Sequence, residues 1–262
     1  MLKYQELLSL ANDAEIEAIA KYQHEIQPNW GCNMQFTSGT TGPPKAALLS
    51  HYSFVNNGIH IGARNELGLS YHRICTQVPL FHAYGTVVGI VAAMSFGATL
   101  VLPSPAFKAE SSLRAIANEK CTMVYGTPTM YVDLIAKQKE LNIDIDSAKI
   151  AVTGGASCSP QLFTNMLETL GVEKIKTVYG MTEASAVFFQ SLYFENKHQV
   201  LETVGHLQDH IEAKVVDANN EIVPFGQPGE LCVRGYSTML GYWDDLEKTR
   251  ETIGPDKWLK TG

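Results

Sequence analysis

The stretch "CTMVYGTPTMYVDLIAKQKE", residues 121–140, joins a short apolar run directly to a helical pattern. Its first part, "CTMVYG", is rich in β-branched and aromatic residues and ends at a glycine, which predicts a buried strand. Its second part has Pro128 near the first helical position, where a missing backbone N–H costs nothing, and therefore predicts a helix. A strand that runs directly into a helix is the repeating unit of a parallel sheet.

The same alternation of strand and helix extends in both directions along the chain. Parallel strands need crossover helices, and these helices cover the faces of the sheet. We therefore predict an α/β fold with a mostly parallel sheet flanked by helices. The segments that predict it are the strands "RICTQVPL" (73–80), "ATLVLP" (98–103), "KIAVTGG" (149–155) and "IKTVYG" (175–180), and the helices "YGTVVGIVAAMSFG" (84–97), "SSLRAIANEK" (111–120) and "SPQLFTNMLETLG" (159–171).

The two ends of the chain show other patterns. Apolar residues at helical spacing near the start predict an amphipathic lead-in helix within residues 1–30. After Ser191 the helical patterns stop: "HIEAKVVDANNEIV" (210–223) predicts a hairpin, and "GELCVRG" (229–235) predicts a strand. We therefore predict an α/β subdomain over residues 1–192 and a β-rich subdomain, a partial barrel, over residues 193–262.

Composition excludes several classes of function. Hydrophobic residues make up 45% of the chain and charged residues 18%, which is ordinary for a globular protein, and the net charge of −7 argues against nucleic acid as a partner. The five cysteines are scattered without a C-x-x-C pair, so they predict free thiols rather than disulfides or a zinc site. No apolar run reaches the ~20 residues that a membrane-spanning helix needs.

Polar and glycine-rich segments follow several of the predicted strands. In an open α/β sheet, ligands bind beyond the carboxyl ends of the strands. Any one of these segments alone is what an ordinary strand end requires, but four of them at one edge of a sheet predict one site. The segments are "TSGTTGPPK" (37–45), "PLFHAYG" (79–85), "TGGAS" (153–157) and "YGMTE" (179–183).

The segment at residues 37–45 has the chemistry of a phosphate-binding loop. Its two glycines allow backbone N–H groups to face one anion, its four hydroxyl residues are further donors, and Lys45 supplies a positive charge. The spacing differs from the P-loop of NTPases, because prolines precede the lysine and Ala46 follows it. A mobile surface loop is the alternative for any run of Gly, Ser and Thr.

These motifs, in this order, resemble those of the adenylate-forming enzymes, the family of acyl-CoA synthetases, firefly luciferase and nonribosomal-peptide adenylation domains. The resemblance extends over essentially the whole chain, with "GELCVRG" (229–235), "GYW" (241–243) and "WLKTG" (258–262) as further matches. Within the family, the chain looks closest to animal medium-chain acyl-CoA synthetases, which are mitochondrial. The resemblance implies the large N-terminal domain of the adenylate-forming fold and ATP-dependent conversion of a carboxylic acid into an acyl-adenylate and then an acyl-CoA.

The resemblance also implies a role for each motif. His82 would orient the acid, Thr182 would bond the α-phosphate, and Glu183 would hold Mg²⁺; these are the candidate catalytic residues. The adenine would contact the backbone at Gly154, Gly155 and Ala156 and the ring of Tyr179, with Gly180 and Met181 completing the nucleotide site. The loop that would bind the other phosphates consists of Thr37, Ser38, Gly39, Thr40, Thr41, Gly42, Pro43, Pro44 and Lys45.

Simpler structural roles remain open for several of these residues. His82 would also serve as a structural histidine bonded to backbone, Glu183 as an acid in the first turn of a helix, and Tyr179 as an ordinary core residue. Lys260 is expected to be a surface lysine. Family members usually have glycine at the position of Ala46; if that position needs a positive φ, alanine costs on the order of 1 kcal/mol.

The resemblance further implies that relatives extend beyond this chain at both ends. We expect a preceding lobe, a ribose-binding aspartate after Gly262 and a C-terminal lid domain that are not in these 262 residues, and hence weak turnover and a tendency to self-associate. The substrate should lack an amino group, because "FHAYGTVV" (81–88) has no acid to pair with one. Two alternatives stay open: a truncated pseudoenzyme that binds nucleotide weakly, and a P-loop-like NTPase. Oligomeric state is not predicted.

Overall fold

The computed structural model describes residues 3, 5, 6, 9–37 and 44–262. The strands are β1 Gly31–Thr37, β2 Lys45–Ser50, β3 Arg73–Thr76, β4 Thr99–Val101, β5 Met123–Gly126, β6 Ile150–Gly154, β7 Lys174–Tyr179, β8 Phe189–Gln190, β9 His206–Leu207, β10 Ile211–Val216, β11 Glu230–Gly235, β12 Gly241–Tyr242 and β13 Leu259–Lys260. The helices are α1 Asp13–Gln23, α2 His51–Arg64, α3 Ala92–Phe96, α4 Ala109–Glu119, α5 Pro128–Leu141, α6 Pro160–Leu170, α7 Lys197–Glu202 and α8 Leu246–Thr252, with a π-helix at Tyr84–Val91 and a 3₁₀ turn at Thr182–Ala184.

The central sheet contains seven strands in the order β4-β3-β5-β6-β7-β8-β9. The five strands from β4 to β7 pair in parallel, and β8 and β9 add antiparallel pairs at one edge. The predicted α/β class with a mostly parallel sheet is therefore confirmed. The parallel strands all point their carboxyl ends to one edge, so the segments that follow β3, β6 and β7 are gathered there.

Apolar cores cover both faces of the central sheet. Successive residues of β5 alternate between them, because side chains of a strand point to opposite faces. Val124 packs with buried residues of α4, α5 and α6 such as Met166. Met123 and Tyr125 pack on the other face, with Ile61 of α2 and the π-helix. Helices on both faces are what the continuous apolar strand patterns predicted.

Two smaller sheets accompany the large one. One has the order β1-β2-β12 and the other β10-β11-β13, and all of their pairs are antiparallel. Strands from late in the chain thus join both the large sheet, through β9, and the first small sheet, through β12. The proposed division of the chain at residue 192 stays a prediction.

The expectation that helices stop after Ser191 is wrong. The structure contains α7 and α8, each too short for a helical period to be recognised in the sequence. Capping defines them instead: the side chain of Asn196 accepts bonds from two backbone N–H groups of α7, and the side chain of Asp245 accepts one from Lys248. The predicted hairpin is only partly formed, because its second arm contributes a single bridge and β10 pairs with β11.

The helix α1 lies within the predicted lead-in segment. It begins after Asn12, which forms a capping box with Glu15. None of its residues is buried, and Ile16 and Ile19 are more than half exposed. The apolar face that the spacing predicted is therefore present but uncovered by the described part of the chain.

Two expectations from composition can be compared with the structure. Among the described residues, no helix is both long enough and apolar enough to cross a membrane. All five cysteines lie in the described ranges, and they are free thiols, as predicted.

Candidate functional site

A cavity of about 1010 Å³ opens at the carboxyl edge of the central sheet. It brings together residues from each of the four motif segments. The predicted site residues that line it are Thr37, Pro44, Lys45, His82, Gly155, Gly180, Met181, Thr182 and Glu183. Gly154, Ala156 and Tyr179 are not among the lining residues. Ser38, Gly39, Thr40, Thr41, Gly42 and Pro43 lie outside the described residues.

Lys45 is positioned as the first residue of β2. It lies opposite Thr37 across the pair of β1 and β2, so both ends of the loop are fixed by strand pairing. Its ammonium nitrogen lies 4.7 Å from the centroid of the Tyr242 ring, within the range of a cation–π interaction. Ala46 is paired with Phe36 and has no positive φ, so the suspected strain at this alanine does not occur.

The inner face of β1 carries polar side chains into the same cavity. Gln35 and Thr37 are 4% and 8% exposed, and one oxygen of each is buried without a hydrogen-bond partner among the described residues. The Gln35 amide donates to the hydroxyl of Thr86 (3.3 Å), which follows the His82 segment. Buried oxygens without partners are costly, and they concentrate where a ligand supplies the missing bond.

His82 is held as a neutral ring. The backbone N–H of Tyr84 donates to its Nδ1 at 3.1 Å, so Nδ1 is unprotonated and the ring proton is on Nε2. His82 is exposed, yet partial desolvation by its surroundings lowers the pKa of the imidazole below its ordinary value. A local backbone bond of this kind is what the structural alternative for His82 predicted; the cavity lining places the same ring where a ligand can contact it.

The glycine turn after β6 requires its glycines for two different reasons. A Cβ on Gly154 would approach the carbonyl oxygen of Val178 to 2.6 Å, which prevents a side chain there. Gly155 has a φ of +84°, a conformation that glycine adopts without strain. Of these two glycines only Gly155 lines the cavity, and as a glycine it presents backbone there rather than a side chain.

The segment after β7 is a compact and strained turn. A Cβ on Gly180 would lie 2.0 Å from the carbonyl oxygen of Ala186, so the chain can only fold back here at a glycine. Ser185 and Ala186 both have positive φ values, and the Ser185 hydroxyl donates to the carbonyl of Ser237 at 2.8 Å. Tyr179 is 39% exposed and packs edge-on against Phe188, so it is not an ordinary core residue. Strain of this kind is often found at ligand sites.

Glu183 is buried and held from two sides. The Tyr242 hydroxyl donates to its Oε1 at 2.6 Å, and the backbone N–H of Met239 donates to its carbonyl oxygen at 2.8 Å. The 3₁₀ turn that contains it has only three residues, so a helix dipole does not explain this acid. One carboxylate beside the Thr182 hydroxyl fits Mg²⁺, which commonly takes one or two carboxylates from a protein and its other ligands from phosphates and water. Among the described residues, no three His, Cys, Asp or Glu side chains cluster as a metal site.

Several cavity residues were missed in the sequence. Tyr242, Gln35 and Lys260 all line the cavity. Lys260 is also exposed, as expected of a surface lysine. Tyr242 belongs to the sequence motif "GYW", but the motif alone predicted no role for it. An apolar wall completes the cavity, and its residues are Leu80, Tyr84, Val88, Val178, Ala186 and Val187.

Comparison with known proteins relates the chain to a family of enzymes. Residues 1–243 match the family of AMP-binding enzymes. The chain is 41% identical to the mitochondrial medium-chain acyl-CoA ligase ACSF2 of Danio rerio over 98% of its own length and 43% of the relative's. It is 39% identical to the acyl-CoA ligase sidI of Aspergillus fumigatus, with coverage of 94% of this chain and 42% of that one. The chain therefore spans less than half the length of these curated relatives.

Solved structures confirm the architecture. The anthranilate CoA ligase AuaEII, in complex with anthranoyl-AMP, superposes with a TM-score of 0.80 at 26% identity, over 90% of this chain and 45% of that one. ATP-bound MatB from Rhodopseudomonas palustris superposes with a TM-score of 0.81 at 23% identity, over 90% and 46%. The fold is thus that of the adenylate-forming enzymes, in the part that the chain covers.

Proposed function

The chain belongs to the family of AMP-binding enzymes, and from this membership we propose that it forms the nucleotide- and acid-binding part of an acyl-CoA ligase. The proposed reaction joins a fatty acid to AMP and then transfers the acyl group to coenzyme A. The observation that carries the proposal is the single cavity lined by Lys45, His82, Gly155, Thr182 and Glu183, which come from separate segments of the chain. Acyl-CoA ligases among the relatives support the same reaction class.

The phosphates of ATP would bind between β1 and the turn after β7. Lys45 supplies a positive charge there, and Thr37 and Thr182, which also line the cavity, carry hydroxyl groups that can donate to phosphate oxygens. Fixed donors that match a developing negative charge stabilise it without reorganisation, which is the main contribution that a protein makes to phosphoryl chemistry. Mg²⁺, where bound at Glu183, would neutralise phosphate charge.

His82 would orient the acid. Because its Nδ1 accepts a backbone bond, the proton on Nε2 is available to a carboxylate oxygen in the cavity. The carboxylate is the nucleophile: its oxygen bonds to the α-phosphorus while the bond from that phosphorus to pyrophosphate breaks. The thiol of coenzyme A then attacks the acyl carbon, loses its proton, and releases AMP. No activated side-chain nucleophile is needed, so positioning dominates catalysis.

The substrate would be an acid without an amino group. Glu183 is the only acidic side chain among the described residues that line the cavity, and it is already bonded to Tyr242. An ammonium group would therefore be buried without a partner. The apolar residues that line the cavity suit a hydrocarbon chain, and the name of the Danio rerio relative extends the proposal to medium-chain acids and to mitochondria.

Acid-dependent nucleotide chemistry tests the proposal. The purified chain is incubated with ATP, Mg²⁺ and octanoate, and exchange of pyrophosphate into ATP is measured, followed by thioester formation with coenzyme A. We expect exchange that requires octanoate, at a low rate in keeping with the weak turnover expected above. Octanoate with an amino group at its second carbon should not replace it.

The matched variants are Lys45→Ala in the cavity and Lys139→Ala on the exposed end of α5. Lys45→Ala should weaken ATP binding, and Lys139→Ala should not. ATP binding without acid-dependent exchange would favour the nucleotide-binding pseudoenzyme, and phosphate release without any acid would favour an NTPase. Either outcome would contradict the proposed ligase.

A further inference from the structure

Tyr242 lies between two candidate site residues that are distant in sequence, and neither its motif nor the proposed reaction gives it a task. It is 5% exposed and lines the cavity. Its hydroxyl and its ring face contact different groups, Glu183 and Lys45 respectively. One side chain is therefore in contact with both the acid and the cation of the site.

Backbone pairing places Tyr242 with little freedom. It lies opposite Ala47 in the pair of β12 with β2, and its own N–H donates to the hydroxyl of Thr249 at 2.8 Å. On either side of β12, the N–H groups of Leu240 and Trp243 donate to carbonyls of β2, each at 2.8 Å. The ring is thus fixed by the backbone of the strand that also carries Lys45.

The register explains the contact with Lys45. Residues two apart in a strand point to the same face, so Lys45 lies on the face of Ala47 and therefore on the face of Tyr242. The ammonium nitrogen is consequently over the ring, 4.7 Å from its centroid. This interaction holds the lysine at the cavity wall, one side chain away from the carboxylate.

The hydroxyl completes the arrangement. It donates to Oε1 of Glu183 at 2.6 Å, a distance typical of a hydrogen bond to a charged acceptor. A phenol is protonated at neutral pH, so the Tyr242 hydroxyl remains a donor. Because the bond occupies one carboxylate oxygen and fixes the rotamer, the other oxygen is presented in one direction.

We propose that Tyr242 is a positioning residue that holds the Glu183 carboxylate for a metal ion and the Lys45 ammonium for phosphate. The proposal rests on the proposed function for its ligands, Mg²⁺ and ATP, but the contact itself is a property of the chain alone. Hydrogen-bonded partners of metal-binding carboxylates typically change metal affinity by ~10–100-fold when they are removed.

The first test measures stability and requires no ligand. Tyr242→Phe, Glu183→Ala and the double variant are compared by urea unfolding of the 262-residue chain. If the hydroxyl and the carboxylate are bonded, the two changes in the free energy of unfolding are not additive, because either substitution alone removes the same bond. Additive changes would overturn the proposal.

The second test measures the Mg²⁺ dependence of ATP binding by calorimetry. Tyr242→Phe keeps the ring and loses the hydroxyl, so the Mg²⁺ concentration for half-maximal tightening should rise by ~10–100-fold, while ATP affinity without Mg²⁺ stays unchanged. Tyr242→Leu also loses the ring and should weaken ATP binding without Mg²⁺. The control is Tyr131→Phe, since that hydroxyl is buried and bonded to the carbonyl of Val124 at 2.7 Å, away from the cavity.

The outcomes separate the proposals. If Tyr242→Phe and Tyr131→Phe both lower stability and neither changes the Mg²⁺ dependence, Tyr242 has only a structural role and the proposal is wrong. If the unmodified chain binds no ATP, the proposed function fails, and the stability cycle alone decides whether Tyr242 holds Glu183.

Discussion

Replacing Thr37 by valine should affect stability and ligand binding in opposite directions. Thr37 ends β1, is 8% exposed and lines the cavity. Its hydroxyl oxygen is buried and has no hydrogen-bond partner among the described residues. Valine has nearly the same shape, so Thr37→Val removes the hydroxyl without leaving a large cavity. A structural hydroxyl and a ligand-binding hydroxyl respond differently to this change.

The expected magnitudes follow from the missing partner. A buried hydroxyl without a bond costs ~1–3 kcal/mol in proteins, and its replacement by an apolar group is neutral or stabilising. We therefore expect the free energy of unfolding of Thr37→Val to be unchanged or up to about 1 kcal/mol higher. A bond from this hydroxyl to a charged phosphate would contribute ~1.5–3 kcal/mol, so ATP affinity should fall by roughly 10–150-fold.

The assay pairs urea unfolding with calorimetric titration of ATP, and the chain offers a matched control. Thr76, in β3, is 3% exposed, its hydroxyl oxygen is also buried without a partner among the described residues, and it does not line the cavity. Thr76→Val should change stability as Thr37→Val does and leave ATP affinity unchanged. If Thr37→Val lowers stability by more than about 1 kcal/mol and leaves ATP affinity unchanged, the hydroxyl is structural and the reasoning is refuted.

Three further predictions address the turn, the histidine and the edge strand. Gly180→Ala should destabilise the chain by ~1–3 kcal/mol and weaken Mg²⁺-dependent ATP binding, because its Cβ would lie 2.0 Å from the Ala186 oxygen. The control is Gly97→Ala, at a φ of +67° in open space. It should lower the free energy of unfolding by ~1 kcal/mol and leave ATP binding intact. Because the pKa of His82 is lowered in the folded chain, the unfolded chain takes up the proton first as the pH falls. Acidification below about pH 6.5 should therefore destabilise the unmodified chain relative to His82→Asn. A difference between their urea midpoints that does not change from neutral to acid pH would contradict this. Met34 is 51% exposed on β1, an edge of its sheet, so Met34→Lys should reduce self-association by sedimentation velocity, and an unchanged distribution would exclude this edge as the contact.

The parallel core could be predicted from sequence because each of its elements carries a local signal. The helix after β6 shows this: Ser159 caps it, Pro160 begins it and Gly171 ends it in the left-handed conformation, as the sequence indicated. Once strands alternate with helices, topology places their carboxyl ends together. This is why the segments of Gly155 and Glu183, distant in sequence, were expected at one site.

Other features have no local signal. The apolar stretch at residues 84–97 predicted one buried helix, but its first eight residues form a π-helix, and apolar composition does not distinguish the two. The pairing of β12 with β2 depends on a long-range antiparallel contact of two residues. A two-residue strand is too short for a period of two to be recognised, so the task of Tyr242 could only be inferred from the structure.

The net charge of the whole chain and the summed side-chain charge of the cavity have opposite signs. The chain carries a net charge of −7, which on its own would repel a polyphosphate. The described residues that line the cavity include two lysines, Lys45 and Lys260, and one carboxylate, Glu183, whose charge is shared with the Tyr242 hydroxyl. Surface charges more than ~8 Å apart are largely screened at physiological salt. The local charge of the cavity therefore differs from that of the chain, and composition alone, which argued against nucleic acid, could not reveal the phosphate site that we propose.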